Sequence, residues 1–216
     1  MKYKAIVFDL DGTLVNTIDD LTASVNLVLK EYGQKPVDSE KVRLSIGYGI
    51  RQLLKSCFTD PFDDSEMPKI AQMFKDFYNS HDTVYSYVYP GMHEILAELG
   101  KRGVKCVVNT NKYQAASVDI IDCYFPGVFS EVYGEGCGFG RKPEPGAVYD
   151  FIEKIHGSKE TTLYVGDSEP DINTARNAGI DCLLVSWGAR ERTELEKLKP
   201  DYLIDSADEF FKVLDK

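Results

Sequence analysis

The stretch YKAIVFDLDGTLVNT, residues 3–17, decides the fold of this chain. Its apolar run at residues 5–8 is short and rich in β-branched side chains, which favours a buried strand that ends before Asp9. Asp9 and Asp11 are two residues apart and Gly12 follows, so a turn after the strand can point both carboxylates into one pocket. That geometry suits a metal ion and a phosphate group. An acidic turn that contributes only turn chemistry is the alternative.

Composition and charge bound the classes of function. The 216 residues are 43% hydrophobic, which suits a globular protein with one large domain or two smaller ones. The formal net charge of −10 argues against a nucleic-acid partner, because binding to phosphate backbones needs clustered Lys and Arg. Small anionic substrates remain compatible with this charge if lysines are concentrated locally.

Hydropathy and cysteine usage predict the location. No apolar stretch approaches the length of a membrane span, and the N-terminal apolar run is too short for a secretory signal, so no membrane partner is expected. The five cysteines are odd in number and widely spaced, without a CxxC pair. Reduced thiols in the cytoplasm are therefore predicted.

The pattern of helices and strands divides the chain into two parts. Residues 15–88 carry apolar side chains at helical spacing and are predicted to be all-helical. From residue 89 onward, short apolar strands alternate with helices, which indicates βαβ units and a parallel sheet. We therefore predict an α/β core at residues 1–14 and 89–216, with a helical cap domain at residues 15–88. An insertion at this point would lie beside the carboxyl ends of the strands, where ligands bind in open α/β sheets.

Polar side chains follow the predicted strands or precede a helix at four places. They include carboxylates suited to Mg²⁺, and a hydroxyl, an amide and an ammonium suited to phosphoryl oxygens. These residues are Asp9, Asp11, Thr110, Asn111, Lys142, Asp167 and Asp171.

Four short segments in this order resemble the motifs of the haloacid dehalogenase (HAD) superfamily. They are DLDGTL at 9–14, VVNTN at 107–111, RKPEP at 141–145 and VGDSEPD at 165–171. Each segment alone is a weak signal, but the ordered set is specific. The resemblance implies a Rossmann-like parallel sheet with a helical cap between the first two motifs.

The resemblance also implies catalytic and metal-binding roles. Asp9 matches the nucleophile that forms an aspartyl-phosphate. Asp11 matches the general acid that protonates the leaving alkoxide and then activates water, and its main-chain carbonyl matches a Mg²⁺ ligand. Asp167 matches the carboxylate that, with Asp9, holds Mg²⁺.

The phosphate-binding positions follow in the same way. Thr110 and Lys142 match the groups that hold the phosphoryl oxygens, and Asn111 lies where a backbone donor is expected. Asp171 is expected to steady Lys142 or metal-bound water. In isolation, residues 110 and 111 could simply cap a helix and Lys142 could be a solvated surface charge, but their joint occurrence at strand ends favours a site.

The segment IGYGIR at residues 46–51 is a candidate specificity element. Gly47 precedes a predicted helix, and Arg51 in its first turn could meet a substrate anion. A similar segment occurs in phosphoglycolate phosphatases. A helix–helix turn with Arg51 in water is an equally good interpretation.

The sequence thus predicts a Mg²⁺-dependent phosphomonoester phosphatase similar to phosphoglycolate phosphatases, acting on a small phosphorylated substrate as a monomer or homodimer. Dehalogenases of this superfamily lack an acid at the position of Asp11, because a halide leaving group needs no proton. Asn16 and Thr17 stand where those phosphatases commonly have Asp and Ser, which leaves the substrate open. The alternatives are a 5′-nucleotidase, an inorganic pyrophosphatase, or a non-catalytic phosphate-ligand binding protein.

Overall fold

The computed structural model describes residues 1–80 and 83–215. Its strands are β1 Ala5–Phe8, β2 Val15–Asn16, β3 Tyr87–Val88, β4 Lys105–Tyr113, β5 Val132–Glu135, β6 Thr162–Gly166, β7 Asp181–Val185 and β8 Tyr202–Ile204. Its α-helices are α1 Ile18–Glu31, α2 Ser39–Arg43, α3 Ile50–Cys57, α4 Met67–Asn79, α5 Met92–Lys101, α6 Gln114–Tyr124, α7 Gly146–Lys154, α8 Glu169–Ala178, α9 Arg192–Leu198 and α10 Phe210–Leu214.

Six strands form one parallel sheet in the order β5-β4-β1-β6-β7-β8. The central strand β1 pairs with β4 on one side and β6 on the other, so Phe8 lies between Val108 and Val165. The chain moves from β1 to one side of the sheet and later to the other side. A crevice therefore forms beyond the carboxyl end of β1, where open parallel sheets bind ligands. The predicted parallel α/β architecture is confirmed.

The central strand contributes side chains to both faces of the sheet. Ile6 and Phe8 belong to one hydrophobic cluster, and Ala5 and Val7 belong to the other. This alternation follows from the two-residue period of a strand, and burial of both faces explains why the run is continuously apolar. The first cluster continues into α1 and α4, where it includes Phe74. Apolar packing thus connects the helices of residues 15–88 to the sheet.

Residues 15–88 begin and end in strands, which corrects the prediction that this segment is all-helical. Val15 pairs with Val88 and Asn16 with Tyr87 in an antiparallel two-stranded sheet. The Asn16 side chain also donates a hydrogen bond to the Tyr87 hydroxyl at 3.0 Å. A strand of two residues is too short to show the alternation of apolar and polar side chains. The two strands are also far apart in the chain, so a local pattern does not reveal their pairing. Between them lie α1, α2, α3 and α4.

Two further elements differ from the predicted pattern. The helix α9 was not predicted, because its sequence RTELEKL buries only Leu195 and so lacks an apolar stripe. The strand β4 continues past its apolar residues to Tyr113, since Tyr113 pairs with Glu135 beyond an irregularity in the register. None of the helices among the described residues combines the length and the apolar character needed to cross a membrane.

Candidate active site

The turn after β1 places Asp9 and Asp11 at the carboxyl edge of the sheet. Asp9 donates its backbone N–H to Val165 O at 2.9 Å, which continues the pairing with β6 for one more residue. Asp9 is 2% exposed and Asp11 9% exposed. Gly12 adopts a φ of +86°, and a Cβ atom there would come within 2.3 Å of Asp167 Oδ2. The turn therefore needs glycine both for its backbone conformation and for its close approach to Asp167.

Lys142 forms a buried ion-pair cluster with two aspartates. Its Nζ lies 2.7 Å from Asp9 Oδ1 and 2.7 Å from Asp171 Oδ1. Asp9, Asp167 and Asp171 each present a carboxylate oxygen within 4.8 Å of the other two. Three carboxylates thus lie close together, and one ammonium group pairs with two of them, so the cluster has an excess of negative charge if all the acids are ionised.

Burial and this excess of negative charge raise the pKa values of two acids. Burial raises the pKa of Asp9 to about 7, and the Asp171 charge adds to the rise while Lys142 opposes it. Burial, followed by the charges of Asp171 and Asp9, holds the pKa of Asp167 well above its usual range. Burial by itself lowers the pKa of Lys142, but the charges of Asp171 and Asp9 outweigh it and the net pKa is raised. Lys142 therefore stays positively charged.

Asp171 holds neighbouring groups in place with both of its oxygens. Its Oδ2 accepts hydrogen bonds from the backbone N–H groups of Asp167 at 3.1 Å and Ser168 at 3.0 Å, and from the Ser168 hydroxyl at 2.8 Å. With Ser168 it forms the capping box of α8. Its Oδ1 accepts from Lys142. Asp171 therefore orients Lys142 and the backbone of Asp167.

Asn111 uses its side chain to connect three segments. Its Nδ2 donates to Gly47 O at 2.8 Å and to Lys142 O at 3.2 Å, and its Oδ1 accepts from Lys142 N at 2.8 Å. The side chain thus fixes the loop that carries Lys142 and joins it to the loop before α3. Thr110 lies beside it, lines the same cavity, and accepts the backbone N–H of Lys112 at 3.2 Å through Oγ1.

Among the described residues, the Asp11 carboxylate has two polar partners, and the sequence reasoning missed Lys112. Its Oδ1 accepts hydrogen bonds from Thr17 Oγ1 at 2.7 Å and from Lys112 Nζ at 3.2 Å. Thr17 stands at the N-cap position of α1, but its hydroxyl donates to Asp11, and Asn16 Oδ1 accepts the Ile18 N–H. Lys112 follows Thr110 by two residues on β4, and both side chains line the cavity. That spacing was the available signal for Lys112.

A small cavity of about 40 Å³ lies over these groups, between the sheet edge and the helices of residues 15–88. Its polar lining includes Asp9, Asp11, Thr110 and the two lysines described above. Its apolar lining comes from α1, α3, α4 and the loop before α3, through Leu21, Ile46, Ile50, Leu53 and Phe74. The volume leaves room for only a small group beside the carboxylates.

The two candidate specificity residues fall in different places. Gly47 lines the cavity, and its carbonyl accepts the Asn111 side chain. Arg51 instead lines a neighbouring open groove with Tyr48, Gln52 and Arg141. The structure therefore does not bring Arg51 into the enclosed cavity.

Several hydrogen bonds join the loops around α2 and α3 to the loops at the sheet edge. The Arg43 guanidinium donates to Ala189 O, and the Arg141 guanidinium donates to Tyr48 O. Ala189 also donates its backbone N–H to Asp167 Oδ2 at 2.5 Å. One peptide segment thus contacts both the acidic cluster and the helical region that covers it.

The acidic cluster has the chemistry of a divalent-cation site. Carboxylate and carbonyl oxygens are the ligands that Mg²⁺ prefers. Two glycines let the backbone pass close to the Asp167 carboxylate: a Cβ atom at Gly12 or at Gly188 would lie 2.3 Å from Asp167 Oδ2. A cation would also offset the negative charge that raises the pKa values of Asp9 and Asp167. The residues present therefore fit Mg²⁺.

A family model, curated relatives and solved structures all indicate the same family. The family model described as haloacid dehalogenase-like hydrolase matches residues 6–185. A phosphoglycolate phosphatase from Caulobacter vibrioides is 36% identical over 205 residues, which cover 93% of this chain and 86% of that protein. One from Aquifex aeolicus is 31% identical over 214 residues, covering 98% and 97%. The crystal structure of a predicted phosphoglycolate phosphatase from Haemophilus somnus superposes with a TM-score of 0.92 at 28% identity, covering 99% of each chain.

Proposed function

Because this chain belongs to the haloacid dehalogenase-like hydrolase family and is a phosphoric monoester hydrolase, we propose that it is a Mg²⁺-dependent phosphatase for a small phosphorylated metabolite, most similar to phosphoglycolate. The observation that carries the proposal is the buried cluster in which Lys142 contacts Asp9 while Asp167 lies beside them. An ammonium group and converging carboxylates are the means by which a protein can hold a phosphoryl group next to a nucleophile.

Asp9 is the proposed nucleophile. Its carboxylate attacks phosphorus, the bond to the ester oxygen breaks, and an aspartyl-phosphate forms; water then cleaves it in a second step. Lys142 supports this role because it favours the ionised form of Asp9 and can also contact a phosphoryl oxygen. Burial excludes water from the attacking group, since the Asp9 side chain is 3% exposed.

Asp11 is the proposed acid and base. It protonates the leaving alkoxide in the first step and accepts a proton from the attacking water in the second. Its contacts to Thr17 and Lys112 hold the carboxyl group in one orientation at the wall of the cavity. A group that exchanges a proton with the leaving oxygen must be fixed in this way.

The proposed metal ligands are the carboxylates of Asp9 and Asp167 and the main-chain carbonyl of Asp11. When bound there, Mg²⁺ supplies positive charge that offsets the repulsion between Asp9 and the phosphoryl oxygens. Asp171 is not proposed as a ligand, because its two oxygens already accept four hydrogen bonds.

The proposed phosphate clamp consists of the Thr110 hydroxyl, the Asn111 backbone N–H and Lys142. Asn111 acts through its backbone in this scheme, because its side chain is hydrogen-bonded to Gly47 and Lys142.

We propose residues 15–88 as the cap domain over a core of residues 1–14 and 89–216. The cavity between them supports a small leaving group over a nucleoside, which favours phosphoglycolate-like substrates over nucleotides.

A cytoplasmic location is also proposed. All five cysteines are unpaired, as expected in a reducing compartment.

A phosphate-release screen tests the proposal. The purified protein with Mg²⁺ is offered 2-phosphoglycolate, sugar phosphates, nucleoside monophosphates and pyrophosphate. We expect 2-phosphoglycolate to give the highest kcat/KM. A preference for a nucleotide or for pyrophosphate would instead identify a nucleotidase or a pyrophosphatase. If none of these compounds releases phosphate in a metal-dependent way, the chain is better explained as a phosphate-ligand binding protein.

A further inference from the structure

Two lysines line the cavity, and their surroundings differ. Among the described residues around the cavity, Lys142 and Lys112 are the cationic ones. Lys142 has two carboxylate partners, Asp9 and Asp171, each at 2.7 Å. Lys112 has one carboxylate oxygen, Asp11 Oδ1, at 3.2 Å, and that oxygen also accepts the Thr17 hydroxyl. The charge of Lys142 is therefore balanced within the protein to a greater extent than that of Lys112.

The ammonium group of Lys112 is removed from solvent. Its side chain is 4% exposed, and its Nζ lies 4.2 Å from the centroid of the Tyr78 ring on α4. The ring face offers a weak cation–π attraction and no hydrogen-bond acceptor with a formal charge. An ammonium group has three N–H donors, and a buried one is costly unless an anion lies against it. Lys112 can therefore accept a second anionic partner from within the cavity.

The surroundings of the cavity make a substrate the natural source of that anion. The helices and the loop that cover it contribute Leu21, Ile50, Leu53 and Phe74, none of which can pair with an ammonium group. Lys112 lies beside Asp11, the proposed proton donor to the leaving oxygen, whereas Lys142 lies beside Asp9, the proposed nucleophile. Lys112 is thus placed to contact the leaving group, and Lys142 is placed to contact the phosphoryl group.

We propose that Lys112 is the specificity residue for the leaving group, and that it binds a carboxylate carried close to the ester oxygen of a short phosphomonoester. The inference rests on the proposed function, since it assumes a phosphoester in this cavity. It assigns to Lys112 the recognition that the sequence suggested for Arg51, which lies in the outer groove.

The experiment compares two substrates of equal length that differ in charge. They are 2-phosphoglycolate, with a carboxylate, and 2-hydroxyethyl phosphate, with a neutral hydroxyl. The measured quantity is the ratio of their kcat/KM values in wild type, Lys112→Met, Lys112→Arg and Lys75→Met. Lys75 is the matched control, because its Nζ lies 5.2 Å from the centroid of another aromatic ring, that of Tyr113, and it does not line the cavity.

We expect wild type to prefer the carboxylate substrate and Lys112→Met to lower the ratio by about 10- to 100-fold, the usual effect of removing a charged hydrogen bond to a substrate. Lys112→Arg should keep part of the preference, and Lys75→Met should keep all of it. A loss that acts through Asp11 lowers both substrates by the same factor. An equal fall on both substrates, or a wild type without preference, would therefore overturn the assignment.

A binding measurement separates this inference from the proposed reaction. Calorimetry compares 3-phosphonopropionate with propylphosphonate, two non-hydrolysable phosphonates that differ in the terminal carboxylate. Wild type should bind the carboxylate compound more tightly by at least about tenfold, and Lys112→Met should lose this difference. Equal affinities in wild type would refute the role of Lys112 even if the Lys112 variants fail to fold. Hydrolysis of no phosphomonoester, together with selective binding, would refute the proposed function alone.

Discussion

The ammonium group of Lys142 lies 2.7 Å from Asp9 Oδ1, and both side chains are buried, at 0% and 3% exposure. A buried pair of this kind is costly to form and far more costly to break, because the remaining charge has no partner. Here the lysine is shared with Asp171, so the pair does not neutralise the cluster. Burial, together with the residual negative charge, explains the raised pKa values of Asp9 and Asp167.

The first prediction concerns the nucleophile. Asp9→Asn should lower phosphate release by at least about 10³-fold, because an amide cannot form the aspartyl-phosphate. The fold should persist, since the substitution keeps the shape of the side chain and removes one of three crowded carboxylates. Phosphate release with p-nitrophenyl phosphate measures the loss, and circular dichroism checks the fold. Substantial residual activity in a folded variant would contradict the assignment of Asp9.

The second prediction concerns the pH dependence of stability without metal. The pKa of Asp9 is raised from 3.8 to about 7 in the folded chain, so the native state binds more protons than the unfolded state between these values. The free energy of unfolding should therefore fall as the pH rises from about 4 to about 7. Thermal melts in EDTA across this range measure the trend. Asp9→Asn should make the fall with pH shallower, while the raised pKa of Asp167 keeps part of it. A wild-type stability that rises with pH over this window would contradict the prediction.

The third prediction concerns metal binding. Mg²⁺ at about 100 times its Kd should stabilise the wild type by about 2.7 kcal/mol, or roughly 5 to 10 °C in Tm. Asp167→Asn should lose most of this shift, because it removes one of the proposed ligands. Asp208→Asn, which alters an exposed acid, should keep it. EDTA should abolish activity and Mg²⁺ restore it. Equal shifts in all three proteins would place the metal elsewhere.

The fourth prediction concerns Asn111. Asn111→Ala removes hydrogen bonds to Gly47 and to both backbone groups of Lys142, so the lysine loop and the loop before α3 lose their link. We expect a loss of about 1 to 3 kcal/mol in stability and at least a tenfold fall in kcat/KM. Asn177→Ala is the control, because Asn177 donates to Pro143 O of the same loop from the exposed side. Similar falls in activity for the two variants would show that Asn111 has no special role.

The fifth prediction concerns the turn after β1. Gly12→Ala should destabilise the protein and abolish activity, because the new Cβ would meet Asp167 Oδ2 at 2.3 Å. Gly127→Ala is the matched control, since Gly127 also has a positive φ, of +72°, but nothing lies within 4 Å of its Cβ position. Both variants carry backbone strain of about 1 to 2 kcal/mol. The difference between their melting temperatures isolates the contact with Asp167, and equal melting temperatures would exclude it.

Sequence alone was sufficient where the signal is local. The run before Asp9 is continuously apolar, which predicted a buried strand, and both faces of β1 are buried. The strand that contains Asn111 and the strand that ends just before Asp167 run parallel to it, so their carboxyl ends meet at one edge of the sheet. The convergence of Asp9, Asp167 and Asp171 and the family membership could therefore be predicted before any coordinates.

Tertiary structure decided which partners these residues have. Lys112 reaches Asp11, the Asn111 side chain turns to Gly47 instead of a ligand, and Arg51 lies outside the cavity. The two-residue strands β2 and β3 pair with each other although the whole helical segment separates them in the chain. Each of these contacts joins residues distant in the chain. Their geometry depends on how the helices pack over the sheet edge and on the direction of each side chain, which the local pattern of residues does not specify.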